Sequence, residues 1–191
     1  MSKQVWLITG AGRGMGVDFV RAALAAGYSV VASGRDRDRV SRVLGTSSDV
    51  LAVTLDVTSA ADAEAAARAA VDRFGRIDVL VNNAASFYAG YFEELTPAQI
   101  DRQLAASLIG PMNVTRAVLP VMRQQRSGRI VNFSSISGLA GGTGQANYGS
   151  SKAGIAGLTR TIARDLGRYG VTCNAIAPGA QTRMTASVPD S

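Results

Sequence analysis

The chain alternates short apolar runs with longer stretches of helical periodicity along its 191 residues. Apolar runs of about four to eight residues indicate buried strands, whereas apolar positions three and four apart indicate amphipathic helices. The pattern predicts strands at 4–9, 28–33, 50–55, 77–81, 128–133 and 171–177. It predicts helices ending at 26, over 60–74, over 97–122 and from 148 onward. Pro111 and Pro120 lie inside the third helix and should kink or interrupt it. Strands that alternate with helices indicate an α/β domain with a parallel sheet.

The first predicted strand is joined to the first helix by a glycine-rich loop, Gly10-Ala11-Gly12-Arg13-Gly14-Met15-Gly16. Glycines permit a tight turn and a close backbone approach, and the N-terminus of the following helix offers free N–H groups to a pyrophosphate. A plain strand-to-helix turn is the alternative for such a loop taken alone. Because the chain completes two βαβαβ halves, we predict a Rossmann-type doubly wound sheet in the order 3-2-1-4-5-6. Residues 1–191 should form one domain.

The second predicted strand ends at Gly34 and is followed by Arg35, with no carboxylate at the position that usually binds the adenosine ribose in NAD-preferring sites. A guanidinium can bind a 2'-phosphate bidentately, whereas a carboxylate would repel it. Arg13 in the glycine loop is a second candidate for the same phosphate. We therefore expect NADP(H) rather than NAD(H). Two alternatives stay open: Arg35 merely begins a solvated helix, or Asp36 takes the ribose role.

Tyr148 and Lys152 lie four residues apart at the start of a predicted helix, so their side chains share one face. An ammonium held near a phenol favours the phenolate, which makes the phenol a readier proton donor and acceptor. Ser135 follows the fifth predicted strand, at the edge where open α/β sheets bind ligands, and its hydroxyl could hold a carbonyl oxygen. The Tyr-x-x-x-Lys spacing alone occurs often by chance, so the interpretation depends on the strand and the glycine-rich stretch before it.

These motifs resemble those of the short-chain dehydrogenase/reductase family, which has Thr-Gly-x-x-x-Gly-x-Gly (here 9–16), Asn-Asn-Ala (here 82–84) and a Ser thirteen residues before the Tyr of Tyr-x-x-x-Lys. The resemblance covers nearly the whole chain and is closest to the 3-oxoacyl-[acyl-carrier-protein] reductase group. It implies that Ser135 orients a substrate carbonyl, that Tyr148 is the general acid or base, and that Lys152 tunes Tyr148 and binds the nicotinamide ribose. The implied cofactor contacts are Gly10, Gly12, Arg13, Gly14, Met15, Gly16, Arg35, Asp56, Val57, Asn82, Ala84, Tyr148, Lys152, Pro178, Gly179 and Thr182. For Asp56 the alternative is a capping role in the next helix.

The sequence departs from the family pattern in several places. Ser107 stands three residues before Gly110, where the family has an Asn that holds a proton-relaying water. We expect Ser107 to take this catalytic role with slower turnover, and Ser107→Asn to raise the rate. Ala85 replaces a Gly, which costs on the order of 1 kcal/mol if that position needs a positive φ or a close approach of the cofactor. The chain stops at Ser191, before the family's usual seventh strand and substrate-covering segment.

Composition sets the broader class. Hydrophobic residues make up 47% and charged residues 18% of the chain, which is typical of a globular domain. We expect a cytoplasmic protein with no membrane partner, because no apolar run approaches the ~20 residues of a transmembrane helix and the N-terminus lacks a secretory pattern. With no His and one Cys, Cys173, we expect no Cys/His metal site and a buried, inert thiol. The net charge of +6 comes without a nucleic-acid motif, so an anionic cofactor explains it more economically. An acidic carrier protein would also be attracted to such a surface, although the sign of the charge alone does not show one.

The sequence leads to two main hypotheses. The first is an NADPH-dependent oxidoreductase that reduces a ketone, free or linked to an acyl carrier, to an alcohol with Tyr148 as proton donor. The second is a truncated or inactive NADP-binding protein without turnover. An NAD-dependent alcohol dehydrogenase and a fragment of a longer enzyme also stay open. The resemblance further implies a homodimer or homotetramer formed through the helices that contain Leu108 and Tyr148, with packing inside one chain as the alternative.

Overall fold

Strands and helices alternate along the chain as the apolar pattern predicts. The structure is a computed structural model, and it describes residues 3–178. The strands are β1 (Val5–Ile8), β2 (Ser29–Gly34), β3 (Val50–Thr54), β4 (Val79–Asn82), β5 (Gly128–Phe133) and β6 (Val171–Ile176). The helices are α1 (Met15–Ala25), α2 (Arg37–Leu44), α3 (Ala60–Phe74), α4 (Pro97–Leu104), α5 (Gly110–Gln125), α6 (Ile136–Ala140) and α7 (Ala146–Leu166). A π-helical turn, Ala105–Ile109, joins α4 to α5, and 3-10 turns lie at Phe92–Glu94 and Gly167–Tyr169.

The six strands form one parallel sheet in the order β3-β2-β1-β4-β5-β6, which confirms the predicted topology. β1 pairs with β2 on one side and with β4 on the other, so the strand order reverses between β1 and β4. Loops that leave the carboxyl ends of these two strands diverge at this point and open a crevice, which is where such sheets bind ligands.

Successive side chains of each strand point to opposite sides, and β1, β2 and β4 are buried on both faces, whereas the edge strand β6 is largely exposed. Leu7 packs in the cluster that includes α3 and α5, whereas the next residue, Ile8, packs in the cluster that includes α1. Each fully buried Leu or Ile contributes about 1.5–3 kcal/mol relative to an exposed one. The face of α3 that meets the first cluster consists of alanines at helical spacing, namely Ala63, Ala66, Ala67 and Ala70.

Local capping fixes several helix boundaries where the sequence places them. The Ser59 hydroxyl accepts a hydrogen bond from the Asp62 N–H at the start of α3, and Gly75 ends that helix with a φ of 77°. At the start of α4, the Thr96 hydroxyl and the Gln99 side chain form a reciprocal capping box. These signals are short-range, which is why α3 has the predicted bounds.

Pro111 interrupts the helical hydrogen-bond ladder, as predicted. Because proline has no N–H and its ring crowds the preceding turn, the ladder before it widens, and the Gly110 N–H bonds to the Ala105 carbonyl in a π turn. Pro120, in contrast, lies inside α5, which continues past it to Gln125.

Among the described residues, the continuous helical stretch Pro97–Gln125 is long and apolar enough to span a membrane by length and composition. Core helices of water-soluble proteins also meet this criterion. Here α5 buries Val114, Val118 and Met122 in the cluster against the sheet.

Candidate active site

The glycine loop between β1 and α1 is held close to the segment that follows β4. Gly10 and Gly14 have φ values of 70° and 54°, which favour glycine. A Cβ on Gly10 would lie 3.0 Å from the Ala84 Cα, and one on Gly16 would collide with the Gly10 carbonyl oxygen. No side chain in the described part of the chain caps α1, which begins at Met15. Its first-turn N–H groups therefore suit an anionic pyrophosphate.

Thr9 and Asn83 join the loops that leave β1 and β4. The Thr9 hydroxyl accepts hydrogen bonds from the N–H groups of Asn83 and Ala84, both at 3.0 Å. The Asn83 side chain donates to the Thr9 carbonyl at 2.9 Å. Ala85 does not have a positive φ, so the backbone part of the cost considered for replacing a Gly there does not arise. The two loops form one rigid floor at the strand switch point.

Asn82 is buried inside the protein. Its amide donates to Thr115 in α5 at 3.1 Å and to Asn132 in β5 at 2.9 Å, so it braces β4 against its neighbours. Val57 packs tightly against the start of α5, because a Cβ on Gly110 would lie 2.6 Å from its Cγ2. Both residues support the floor of the crevice in this structure.

The two basic residues predicted to bind a 2'-phosphate lie just after β2 and in the glycine loop. Arg35 and Arg13 are both exposed. Asp36 caps α2, where its carboxylate accepts the Arg39 N–H at 2.9 Å. The Arg39 guanidinium reaches the glycine loop and donates from Nε to the Gly12 carbonyl at 3.2 Å. Sequence reasoning missed Arg39, because a charged run at a helix start carries no signal for a contact 27 residues away.

Asp56 lies after β3 and bonds with Thr58 in the turn before α3, whereas the cap of that helix is Ser59. Thr58 donates both its N–H and its hydroxyl to Asp56 Oδ1, at 2.9 and 2.8 Å. These hydrogen bonds lower the pKa of the Asp56 carboxyl, and the positive charge of Arg35 adds to the effect.

Tyr148 and Lys152 lie together in the first turns of α7, as predicted. The Lys152 Nζ is 5.6 Å from the centroid of the Tyr148 ring. Lys152 is only 5% exposed, and burial lowers the pKa of its ammonium to about 8. It donates to the Phe133 carbonyl, at the end of β5, at 2.7 Å. On another side, the Phe87 ring meets Tyr148 edge-on at 5.0 Å. Tyr148 thus stands between a buried cation and an aromatic ring.

Ser135 begins the short helix α6, which packs against α7 at Lys152. Its hydroxyl caps α6 by accepting the Ser137 N–H at 3.2 Å. The helix lies so close to α7 that a Cβ on Gly138 would be 2.6 Å from the Lys152 carbonyl carbon. The neighbouring Ser134 hydroxyl donates to the Lys152 carbonyl at 2.8 Å. The sequence predicts only a glycine-rich stretch here, so α6 is an element that the pattern does not show.

Ser107 is buried in the π turn, where its hydroxyl bonds with Gln103 and with the backbone of Ser86. It accepts from the Gln103 amide at 2.8 Å and from the Ser86 N–H at 3.3 Å, and it donates to the Ser86 carbonyl at 3.3 Å. The structure does not join it to Lys152. Gln103 was missed by sequence reasoning, although a glutamine among the apolar positions of a helix was a signal for it.

The remaining predicted residues lie at or beyond the end of the described chain. Pro178 follows β6 and is exposed. Gly179 and Thr182 lie outside the described residues. Cys173 is buried as predicted, and burial raises the pKa of its thiol to about 11. Within residues 3–178, no group of three or more Cys, Asp or Glu side chains could hold a metal ion.

The fold is a Rossmann-type doubly wound sheet, and Tyr148 and Lys152 lie together in the helix that follows β5 and α6. A family model for the short chain dehydrogenases matches residues 4–191. The chain belongs to the short-chain dehydrogenase/reductase family.

Several proteins resemble this chain over almost its full length. It is 36% identical to a 3-oxoacyl-[acyl-carrier-protein] reductase of Synechocystis sp., covering 94% of this chain and 74% of that protein. It is 40% identical to an acetoacetyl-CoA reductase of Acinetobacter sp., covering 94% of this chain and 75% of that protein. A short-chain dehydrogenase structure from Streptomyces avermitilis superposes with a TM-score of 0.89 at 35% identity, covering 94% of this chain and 66% of the other. The chain thus spans about two thirds to three quarters of the length of these relatives.

Proposed function

We propose that the protein is an NADPH-dependent oxidoreductase that reduces the ketone of a 3-oxoacyl-type substrate to an alcohol. The observation that carries this proposal is the Tyr148–Lys152 pair, a phenol 5.6 Å from a buried ammonium at the carboxyl edge of the sheet. Two of its relatives are named as reductases of 3-oxoacyl and acetoacetyl compounds, which supports the substrate class. The glycine loop and the uncapped start of α1 fit a dinucleotide.

In the proposed reaction, Tyr148 gives its hydroxyl proton to the carbonyl oxygen of the substrate. When bound, NADPH supplies the hydride that reduces the carbonyl carbon. Ser135 orients the same oxygen by a hydrogen bond, which strengthens as negative charge grows there. The Lys152 ammonium stabilises the phenolate that Tyr148 leaves behind, because an opposite charge nearby favours the ionised form. The cofactor could approach the protein backbone closely at the four glycines of the loop, Gly10, Gly12, Gly14 and Gly16.

Cofactor preference follows from charge at the end of β2. Arg35 is exposed there, and the Asp36 carboxylate is engaged by the first turn of α2, so an extra phosphate meets a cation rather than a free anion. Arg35→Ala should weaken NADPH binding roughly tenfold or more and leave NADH binding nearly unchanged, since a charge-assisted bond contributes about 1.5–3 kcal/mol. Titration of both cofactors by fluorescence measures this, with Arg37→Ala as the matched control. Equal binding of NADH and NADPH by the parent would contradict NADPH preference.

Catalysis is tested by the loss of NADPH absorbance with a β-ketoester. Tyr148→Phe should lower kcat at least roughly a hundredfold, because general acid catalysis contributes 10²- to 10⁴-fold. Binding of NADPH should be retained. If the parent binds NADPH tightly but reduces no ketone, the protein is instead a nucleotide-binding protein without turnover.

We extend the proposal to the carrier, the assembly and the location. The net charge of +6 suits a substrate linked to an acidic carrier or to CoA. Ile109 and Met112, on the helical stretch after α4, are 45% and 37% exposed, which favours a homodimer or homotetramer through this face and α7. A cytoplasmic location is consistent with a pathway that uses NADPH.

A further inference from the structure

Gln103 is a large polar side chain with no exposed surface, and its hydrogen bonds go to the loop that follows β4. Its amide Nε2 donates to the Ser86 carbonyl and to the Ser107 hydroxyl, both at 2.8 Å. Its Oε1 accepts the Tyr88 N–H at 3.1 Å. Burying an unpaired amide is costly, so these bonds are what makes glutamine acceptable at this position. Gln103 therefore fixes both ends of segment 86–88.

Asn147 holds the same segment from the opposite side. It is 3% exposed, and its Nδ2 donates to the Tyr88 carbonyl at 3.1 Å. Its Oδ1 accepts the N–H of Tyr148, the next residue, at 2.8 Å. The backbone of Tyr88 is thus bound at its N–H by α4 and at its carbonyl by the first turn of α7.

Segment 86–88 in turn contacts the proposed proton donor. Phe87, its central residue, packs edge-on against the Tyr148 ring, with centroids 5.0 Å apart and planes 87° apart. Residues 83–89 form neither helix nor strand, so their position depends on side-chain bonds rather than on a backbone ladder. Gln103 and Asn147 hold the backbone of Tyr88, the residue after Phe87, and Gln103 and Ser107 hold the backbone of Ser86, the residue before it.

We propose that Gln103 and Asn147 are positioning residues that hold Tyr148 in its reactive orientation through segment 86–88. This role rests on the proposed function of Tyr148. Ser107 belongs to the same network as a partner of Gln103 and Ser86. Displacing a reacting group by about 1 Å can cost roughly a hundredfold in rate, so a brace on the Tyr148 ring is significant for catalysis.

The first test uses Gln103→Met, which keeps the volume of the side chain and removes its hydrogen bonds. We expect kcat for ketone reduction to fall about tenfold, with the affinity for NADPH unchanged. Val118→Ala, a core change in α5, is the control for lost stability: it should lower the melting temperature and leave kcat at 25 °C unchanged. A kcat for Gln103→Met within twofold of the parent would overturn the proposal.

The second test needs no turnover, so it separates this proposal from the proposed function. Tyrosines are labelled with ¹³C in the ring, and the Tyr148 resonance is assigned by its loss in Tyr148→Phe. Gln103→Met should shift this resonance in the cofactor-free protein, because the edge-on Phe87 ring moves. Asn147→Ala should shift it as well, but this variant also removes the bond to the Tyr148 N–H. An unmoved resonance in Gln103→Met therefore refutes the proposal. If the resonance shifts in the variants but the parent reduces no ketone, the positioning role of Gln103 and Asn147 is supported and the proposed function is refuted.

A double variant tests whether the two residues act through one segment. Since both bind the backbone of Tyr88, the loss of kcat in Gln103→Met/Asn147→Ala should be clearly smaller than the product of the two single losses. Gln103→Met combined with Val118→Ala should show a simple product. Independent, multiplicative losses for the first pair would count against a shared segment.

Discussion

Lys152 is the residue whose electrostatics matter most for the proposed chemistry. Its ammonium is buried away from water near the start of α7 and donates a hydrogen bond to the Phe133 carbonyl. One neutral acceptor offsets only part of the lost hydration, so burial lowers the pKa of Lys152 to about 8. The folded protein therefore carries a cation at neutral pH at a cost in stability.

This cost predicts a pH dependence of folding. Between about pH 8 and pH 10.5, Lys152 is largely neutral in the folded state and charged in the unfolded state, so the unfolded chain binds more protons and stability rises with pH. Relative to Lys152→Met, the parent should gain about 2 kcal/mol of unfolding free energy between pH 7 and pH 9.5. Urea unfolding of both proteins at the two pH values measures this. Lys3→Met, at an exposed lysine, is the matched control, and a constant difference between parent and Lys152→Met would contradict the prediction.

Residue spacing predicted the site only where the partners are close in sequence. Tyr148 and Lys152 are one helical turn apart, so their shared face follows from helix geometry alone. Arg39 and Gln103 contact Gly12 and Tyr88 across loops, and such contacts depend on how whole elements pack. Spacing along the chain cannot show them.

The packing of α6 against α7 is the element-scale feature that fixes the position of Ser135, the residue that caps α6. α6 has five residues, too few to produce a periodic signal, and three glycines follow it within residues 141–144. Its position depends on small residues at the contact: Gly149 in α7 is so near that a Cβ there would lie 2.9 Å from the Ser137 carbonyl oxygen. The bounds of α3 were predictable because its caps are local, whereas α6 becomes a helix through its contact with α7.

Gly138→Ala tests the importance of this packing. The added Cβ would lie 2.6 Å from the Lys152 carbonyl carbon, which is backbone and cannot move aside, so α6 must shift away from α7 and carry Ser135 with it. We expect kcat to fall at least roughly tenfold while the far-ultraviolet circular dichroism stays that of the parent. Gly167→Ala, at a glycine with open space around it, should leave kcat unchanged. A fully active Gly138→Ala would show that the position of α6 does not limit the reaction.

At the scale of the whole molecule, the fold was predictable because each level of the sequence agrees. Buried strands alternate with amphipathic helices, and parallel strands need such crossovers, which leaves few topologies besides the doubly wound sheet. The glycine loop then identifies β1 as the strand at the switch point. The surface that a second copy would cover could not be predicted in this way. Apolar residues such as Ile109 and Met112 have the same pattern in the sequence whether they lie in the core or on the surface.

The exposure of those residues predicts how the protein assembles. Ile109 and Met112 lie on adjacent turns and remain 45% and 37% exposed, and Gly157 in α7 has open space where a Cβ would be. If a second copy covers this face, Ile109→Glu/Met112→Glu places two carboxylates in an apolar contact in each subunit. We expect the dissociation constant to rise roughly a hundredfold or more, seen as a shift to monomer in size-exclusion chromatography with light scattering.

The controls separate this face from the rest of the surface. Val43→Glu, at a comparably exposed apolar residue of α2, should leave the molar mass unchanged. If no second copy covers α7, Gly157→Ala should stabilise the protein by about 1 kcal/mol, since Ala is the better helix former. In an assembly that packs closely on α7, the same methyl group would instead weaken association. A parent that is monomeric at every concentration, together with a stabilised Gly157→Ala, would mean that the open space at Gly157 faces solvent and that the apolar face has no second copy against it.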